Sequence, residues 1–110
     1  AGGGGIGGLL ESFVLLEMRK RGKSVTYYSE SSGECDFILH DCGSASDAVQ
    51  VCWDLNPENR QREINGLSSA MKRFSLKNGL ILTRRQSEDV KIEQRIVKVM
   101  PAWSWALSLE

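Results

Sequence analysis

From Leu9 the chain runs Leu-Leu-Glu-Ser-Phe-Val-Leu-Leu-Glu-Met and then Arg19-Lys20-Arg21-Gly22. Apolar positions run almost all the way round a helix over this stretch, which predicts a helix buried on more than one side. Cations in its last turn and a glycine just beyond supply the stop. Glu17 has Lys20 and Arg21 at helical pairing distance, a surface arrangement worth little. Glu11 differs, because its helical neighbours three, four and seven residues on are Val14, Leu15 and Met18. It therefore projects from an apolar face toward whatever the helix packs on.

The pattern then changes to a period of two. Ser24 to Ser29 is rich in Val, Thr and Tyr and reads as a strand. Ser31-Ser32-Gly33 turns it into a second strand, Glu34 to His40, and Asp41 to Asp47 leads on to a third, Ala48 to Leu55. Strict alternation places Glu34, Asp36, Ile38 and His40 on one face of the second strand, opposite Cys35, Phe37 and Leu39. In the third strand Ala48, Gln50, Cys52 and Asp54 oppose Val49, Val51, Trp53 and Leu55. Asp36, Gln50 and Cys52 are thus polar or soft groups among apolar neighbours. Burying an unpaired charge costs several kcal/mol or shifts its pKa, so Asp36 requires a metal, a hydrogen-bond partner or an open cleft.

Asn56 before Pro57 predicts a helix start, and Ile64, Leu67, Met71 and Phe74 continue the helix as one stripe. Its polar face is expected to carry Glu58, Arg60, Arg62, Glu63, Lys72 and Arg73. Gly79 to Thr83 is a short apolar strand. Val90 to Gln94 and Ile96 to Met100 follow as a further strand or hairpin, and Ala102 to Leu107 as a terminal helix after Pro101. A long helix between the third strand and a buried fourth implies a crossover and a parallel pair. The expected fold class is α/β, a mixed sheet flanked by helices.

The length of 110 residues suits one domain, placed here at 9–108. Residues 1–8 contain six glycines and are expected to be a flexible lead-in, and 109–110 a tag remnant. No Gly-Lys-Ser/Thr follows the glycines, so they form no phosphate loop. Fourteen cations balance fourteen acids, which excludes a global basic field of the kind that announces nucleic-acid binding. No apolar run reaches the length of a membrane span, so no membrane partner is expected. Three cysteines, two of them in predicted core strands, read as reduced thiols of a cytoplasmic protein.

A helix with a glutamate, a hairpin ending in an aspartate and a strand with a polar-x-polar pair resemble the PD-(D/E)xK nuclease superfamily, the restriction-endonuclease-like fold. More closely, Leu9-Leu10-Glu11 with Phe13-Val14, Gly33-Glu34-Cys35-Asp36-Phe37, Gln50-Val51-Cys52 and Arg62-Glu63-Ile64 resemble one nuclease-like domain. That domain of unknown function sits at the C-terminus of prokaryotic AAA-type ATPases. The resemblance implies that the ATPase module lies upstream and is a partner. It also implies that Glu11 matches the helix glutamate and Asp36 the metal aspartate, while Gln50 stands where an acid is usual and Cys52 where the lysine stands. In the superfamily, carboxylates hold Mg²⁺ and a lysine supplies a positive charge beside it. Gln50 offers a carbonyl oxygen without charge, and Cys52 is neither a cation nor a hard ligand. Lys72 on the following helix is the candidate replacement cation.

The expected function is therefore a non-cutting domain of a cytoplasmic AAA-type ATPase, serving recognition of DNA or another partner. Glu11, Asp36, Gln50 and Cys52 would be a vestigial catalytic set, and no cofactor is required. The alternative is an active Mg²⁺-dependent DNA endonuclease with Glu11, Asp36 and Gln50 as ligands. Arg60, Arg62 and Lys72 are the candidate nucleic-acid contacts, against the plainer reading of a solvated helix face. Glu11 and Asp36 have a plain reading too, a buried pair satisfied by backbone or by Gln50. Cys35, His40, Cys42 and Cys52 are zinc-type residues, but they lack a Cys-x-x-Cys knuckle, and alternation points Cys35 away from His40. Trp53, Trp103 and Trp105 suit core packing better than base stacking, and Trp103 and Trp105 are also candidates for contact with the ATPase module.

Overall fold

The computed structural model describes residues 5–108. The chain forms α1 (Gly5–Lys20), β1 (Ser24–Glu30), β2 (Gly33–Asp41), β3 (Ser44–Val51), α2 (Arg60–Arg73), β4 (Asn78–Thr83), β5 (Glu88–Ile92), β6 (Arg95–Pro101) and α3 (Ala102–Ser108). One six-stranded mixed sheet runs β1-β2-β3-β4-β6-β5. β1, β2 and β3 pair antiparallel, β3, β4 and β6 pair parallel, and β5 folds back antiparallel on β6. The expected crossover is present, since α2 carries the chain from β3 to its parallel neighbour β4. This α/β architecture is consistent with a restriction-endonuclease-like fold.

The sheet buries both faces. On one, Ile64, Leu67, Ala70 and Met71 of α2 pack on Cys35, Ile38, Ala48, Ile81, Val97 and Val99. On the other, Val14 and Met18 of α1 and Trp105 and Ala106 of α3 pack on Leu39, Val49, Val51 and Leu82. The two clusters reproduce the alternation expected in β3, with Ala48 and Cys52 toward α2 and Val49 and Val51 toward α1. Trp105 belongs to the core, whereas Trp103 is exposed.

Three expectations change. Gly5, Gly7 and Gly8 belong to α1, so the lead-in expected over 1–8 does not extend past residue 4; residues 1–4 and the tag remnant expected at 109–110 lie outside the described residues. The second helix starts at Arg60 with Asn59 as its N-cap, not at Pro57. Asn56 is spent on the turn before it: its Oδ1 accepts from the backbone N–H of Glu58 and of Asn59, both at 3.0 Å. This is an Asx turn, a local conformation that competes with helix. The third change, in β2, builds the site.

Candidate functional site

In β2 the pairing with β1 slips. Thr26 pairs with Ile38 but Tyr28 with Cys35, so Tyr27 stands opposite both Asp36 and Phe37. This β-bulge reverses the alternation at one residue. Cys35 and Ile38 both enter the core beneath α2. Asp36 and Phe37 both turn to the α1 side, where they line a cleft of about 410 Å³ with Glu11, Leu15, Arg19, Lys23, Val25, Thr26 and Tyr27. Strict alternation had set Asp36 with Ile38 and opposite Phe37; the bulge overturns that and brings Asp36 to Glu11. The Asp36 carboxylate accepts from the Val51 backbone N–H at 2.8 Å.

Gln50 faces the other way. Its Oε1 accepts from the Asp36 backbone N–H at 2.9 Å, and its Nε2 donates to the carbonyls of Glu34 at 2.8 Å and Glu63 at 3.1 Å. Both amide protons are used, and the side chain is 2% exposed. It is a bracket joining β2, β3 and α2 at the position where the sequence suggested a metal ligand. The bracket depends on close backbone approach. A Cβ on Gly33 would stand 2.8 Å from Gly66 Cα, and one on Gly66 would collide with the Glu34 carbonyl oxygen. Only glycine fits between α2 and β2 there.

α2 also brings a residue that the sequence reading misplaced. Glu63 was expected on the polar face, but it is 2% exposed. Its Oε2 lies 3.5 Å from Arg62 Nε, and its Oε1 is buried without a hydrogen-bond partner. The signal was present: Glu63 stands four residues before Leu67 and seven before Ala70, the spacing that singled out Glu11. Glu11 Oε1 is likewise buried and unpartnered.

These carboxyls feel one another. Burial pushes Glu11 above the ordinary carboxylate range, and the charges of Asp36 and Glu63 push it further. Burial raises Glu63 too, Asp36 adds to the shift, and Arg62 opposes it. Asp36 is raised by burial against the stabilising hydrogen bond from Val51. Burial, then the Glu63 charge, raises the Cys52 thiol and keeps it neutral. Cys52 Sγ contacts the Asp54 carbonyl at 3.4 Å and Asn59 Nδ2 at 3.5 Å. Hard oxygen ligands with unpaired lone pairs suit Mg²⁺ in kind. Among the described residues no three His, Cys, Asp or Glu side chains are grouped to hold a metal.

The expected cations lie elsewhere. Lys72 shares a surface hollow with Ser69 and Arg73 and stands 4.0 Å from Glu93. It does not line the Glu11–Asp36 cleft, as a replacement lysine would. Arg60 forms a two-pronged pair with Glu88, at 2.7 and 3.1 Å. With Arg62 beside Glu63, each member of the expected nucleic-acid patch Arg60, Arg62 and Lys72 faces an acid. The cations that do line the cleft are Arg19 and Lys23. Arg84 covers the Trp53 ring at 5.3 Å, so that face is taken. The zinc-type residues are scattered. Cys35 points its thiol at the Val49 carbonyl, and burial pushes it up to about 12. Cys42 is exposed on a turn, and the His40 ring bonds Thr26 Oγ1 at 2.8 Å.

Residues 6–105 match the family model described as a domain of unknown function (DUF4143). The chain belongs to that family. A relative, the uncharacterised protein MJ1544 of Methanocaldococcus jannaschii, is 31% identical over 112 aligned residues. The match covers 93% of this chain and 25% of the relative, so the chain spans about a quarter of that protein's length. No solved structure matches the chain. Among the described residues no helix is long and apolar enough to cross a membrane.

Proposed function

We propose that this DUF4143 domain is a nuclease-fold module that recognises DNA or another partner without cutting, as one part of a cytoplasmic AAA-type ATPase. The commitment of Gln50 carries this reading. The position where the superfamily places a catalytic acid is occupied by a neutral side chain with both amide protons bound to backbone carbonyls. Two residues on, Cys52 is a neutral buried thiol where a lysine would supply charge. Transition-state stabilisation in phosphodiester cleavage requires that charge. The open cleft with Arg19 and Lys23 at its wall is the surface through which an anionic partner is met.

Plasmid incubated with the protein and Mg²⁺ or Mn²⁺ is expected to stay intact at micromolar protein. Nicking that disappears in Asp36→Ala would overturn the reading. The buried, unpartnered oxygens of Glu11 and Glu63 favour one rival, an active Mg²⁺-dependent DNA endonuclease. In it Glu63 replaces the missing acid, and Arg19 or Lys23 the missing lysine. That rival requires the nicking to vanish in Glu63→Gln as well.

A further inference from the structure

The open cleft has two chemically different ends, set by the way α1 and β1 meet. Only Arg21, Gly22 and Lys23 join the two elements. Arg19 and Lys23 therefore line the cleft at its joined end. Glu11 lies back along α1, about 12 Å from Arg19 at 1.5 Å per residue. Tyr27 lies along β1 about 13 Å from Lys23, with Asp36 opposite it. Cations thus hold one end and carboxyls the other, with Leu15 and Val25 between them. Long helical side chains lean toward the helix N-terminus, so Arg19 reaches back along this stretch. Among the described residues no salt bridge engages Arg19 or Lys23. Tyr27 is 61% exposed, yet its hydroxyl donates to Glu34 Oε1 at 2.9 Å. Its ring is held as a plate at the acidic end.

Cations, an apolar wall, an aromatic plate and hydrogen-bond acceptors, in that order, complement a nucleotide laid lengthwise from phosphate to base edge. A duplex fits less well. Duplex binders commonly neutralise about 6–10 phosphates. This cleft offers two cations, in a chain with no net positive charge. A duplex also keeps its bases stacked, whereas an unpaired base presents both its face and its edge. The cleft volume of about 410 Å³ is near the lower end of ligand sites, which begin at roughly 300 Å³. Carboxylates only accept hydrogen bonds, so they suit the amino group of cytosine. Thymine presents a carbonyl oxygen at the same place, which a carboxylate repels.

The geometry points to a binding site for one unpaired nucleotide of a DNA strand. Arg19 and Lys23 hold its flanking phosphates, Tyr27 stacks on the base, and the Glu11–Asp36 end accepts from the base amino group. This site rests on the reading of the cleft as the recognition surface of a non-cutting domain. It adds that the strand is single and that the acids, rather than the cations, select the base.

Fluorescence anisotropy with labelled ten-nucleotide strands tests it, using the 110-residue chain in EDTA at mildly alkaline pH. The all-cytosine strand should bind about fivefold or more tighter than the all-thymine strand, and tighter than a duplex of equal length. Log affinity against log salt should fall with a slope of about −1.4, roughly 0.7 for each of two phosphates on a single strand. Tyr27→Ala should weaken cytosine-strand binding about fivefold or more, and Tyr27→Phe should restore it. Glu11→Gln, whose amide both donates and accepts, should bring the two strands to equal affinity. Thermal melts matching the parent's exclude loss of fold. If Tyr27→Ala melts early, exposed Arg19→Ala should still lower the salt slope by about 0.7. Equal binding of the two strands by the parent, a duplex bound as tightly as the cytosine strand, or no strand bound at all overturns the site. So does deoxycytidine monophosphate binding as tightly as the strand. The non-cutting reading is scored separately by the plasmid assay: nicking lost in Asp36→Ala removes it whatever the strands do.

Discussion

The two sides of the β2 bulge treat their polar residues in opposite ways. On the α2 side, Gln50 is tied to the backbone of Asp36, Glu34 and Glu63 through three hydrogen bonds within 3.1 Å, under a helix that touches the strand through Gly33 and Gly66. On the α1 side, Glu11 and Asp36 share an open cleft with Arg19 and Lys23. On the α2 side the Gln50 amide holds backbone together, while on the α1 side the Asp36 carboxylate accepts from the Val51 N–H and still lines the open cleft beside Glu11. The Gln50 side chain therefore joins backbone in this chain, and the cleft is where the proposed recognition would act.

The sharpest way to break the contrast is Gly66→Ala. Its methyl would drive into the Glu34 carbonyl and stand 2.9 Å from Gln50 Nε2, so α2 must lift off β2. The expected loss is about 3 kcal/mol or more, read from urea midpoints at unchanged m-value. Gln50→Glu tests the bracket directly. It puts an acceptor against two backbone carbonyls and should cost about 2–3 kcal/mol, instead of restoring a working acid. A stable Gln50→Glu protein that nicks DNA would show position 50 to be functional.

Glu63→Gln separates the two sides more gently. Because burial raises the Glu63 pKa, the folded state takes up a proton more readily than the unfolded chain. Stability therefore falls as pH rises from the ordinary 4.5 through the raised folded value. The variant should be more stable than the parent by about 1 kcal/mol at neutral pH, the lower cost of a buried unpaired polar atom. The gain should fade as pH drops toward 4.5, as thermal melts across pH would show. The smallest effect is expected for Arg60→Ala. Its pair with Glu88 is solvent-exposed, so the loss should be under about 0.5 kcal/mol and vanish in high salt.

Much of this was legible in the residues. The Val, Ile and Leu of β3 and β4 declared a buried parallel pair, and Glu11 was marked by the apolar neighbours at helical spacing around it. Glu63 carried the same mark, but the charged run Arg60 to Glu63 obscured it. Asn56 was a sound cap by type, yet its side chain closes the turn that leads to the true N-cap, Asn59.

The period and chemistry of the side chains determined, by themselves, the element order, the crossover and the two buried faces of β3. These are local properties, because a residue's neighbours along the chain set which face it shows. Tertiary structure alone decided that Asp36 turns toward α1 and that the Gln50 amide is consumed. A bulge is a mismatch between two strands, and a bracket joins three elements distant in sequence. Neither is written in the spacing of any one segment.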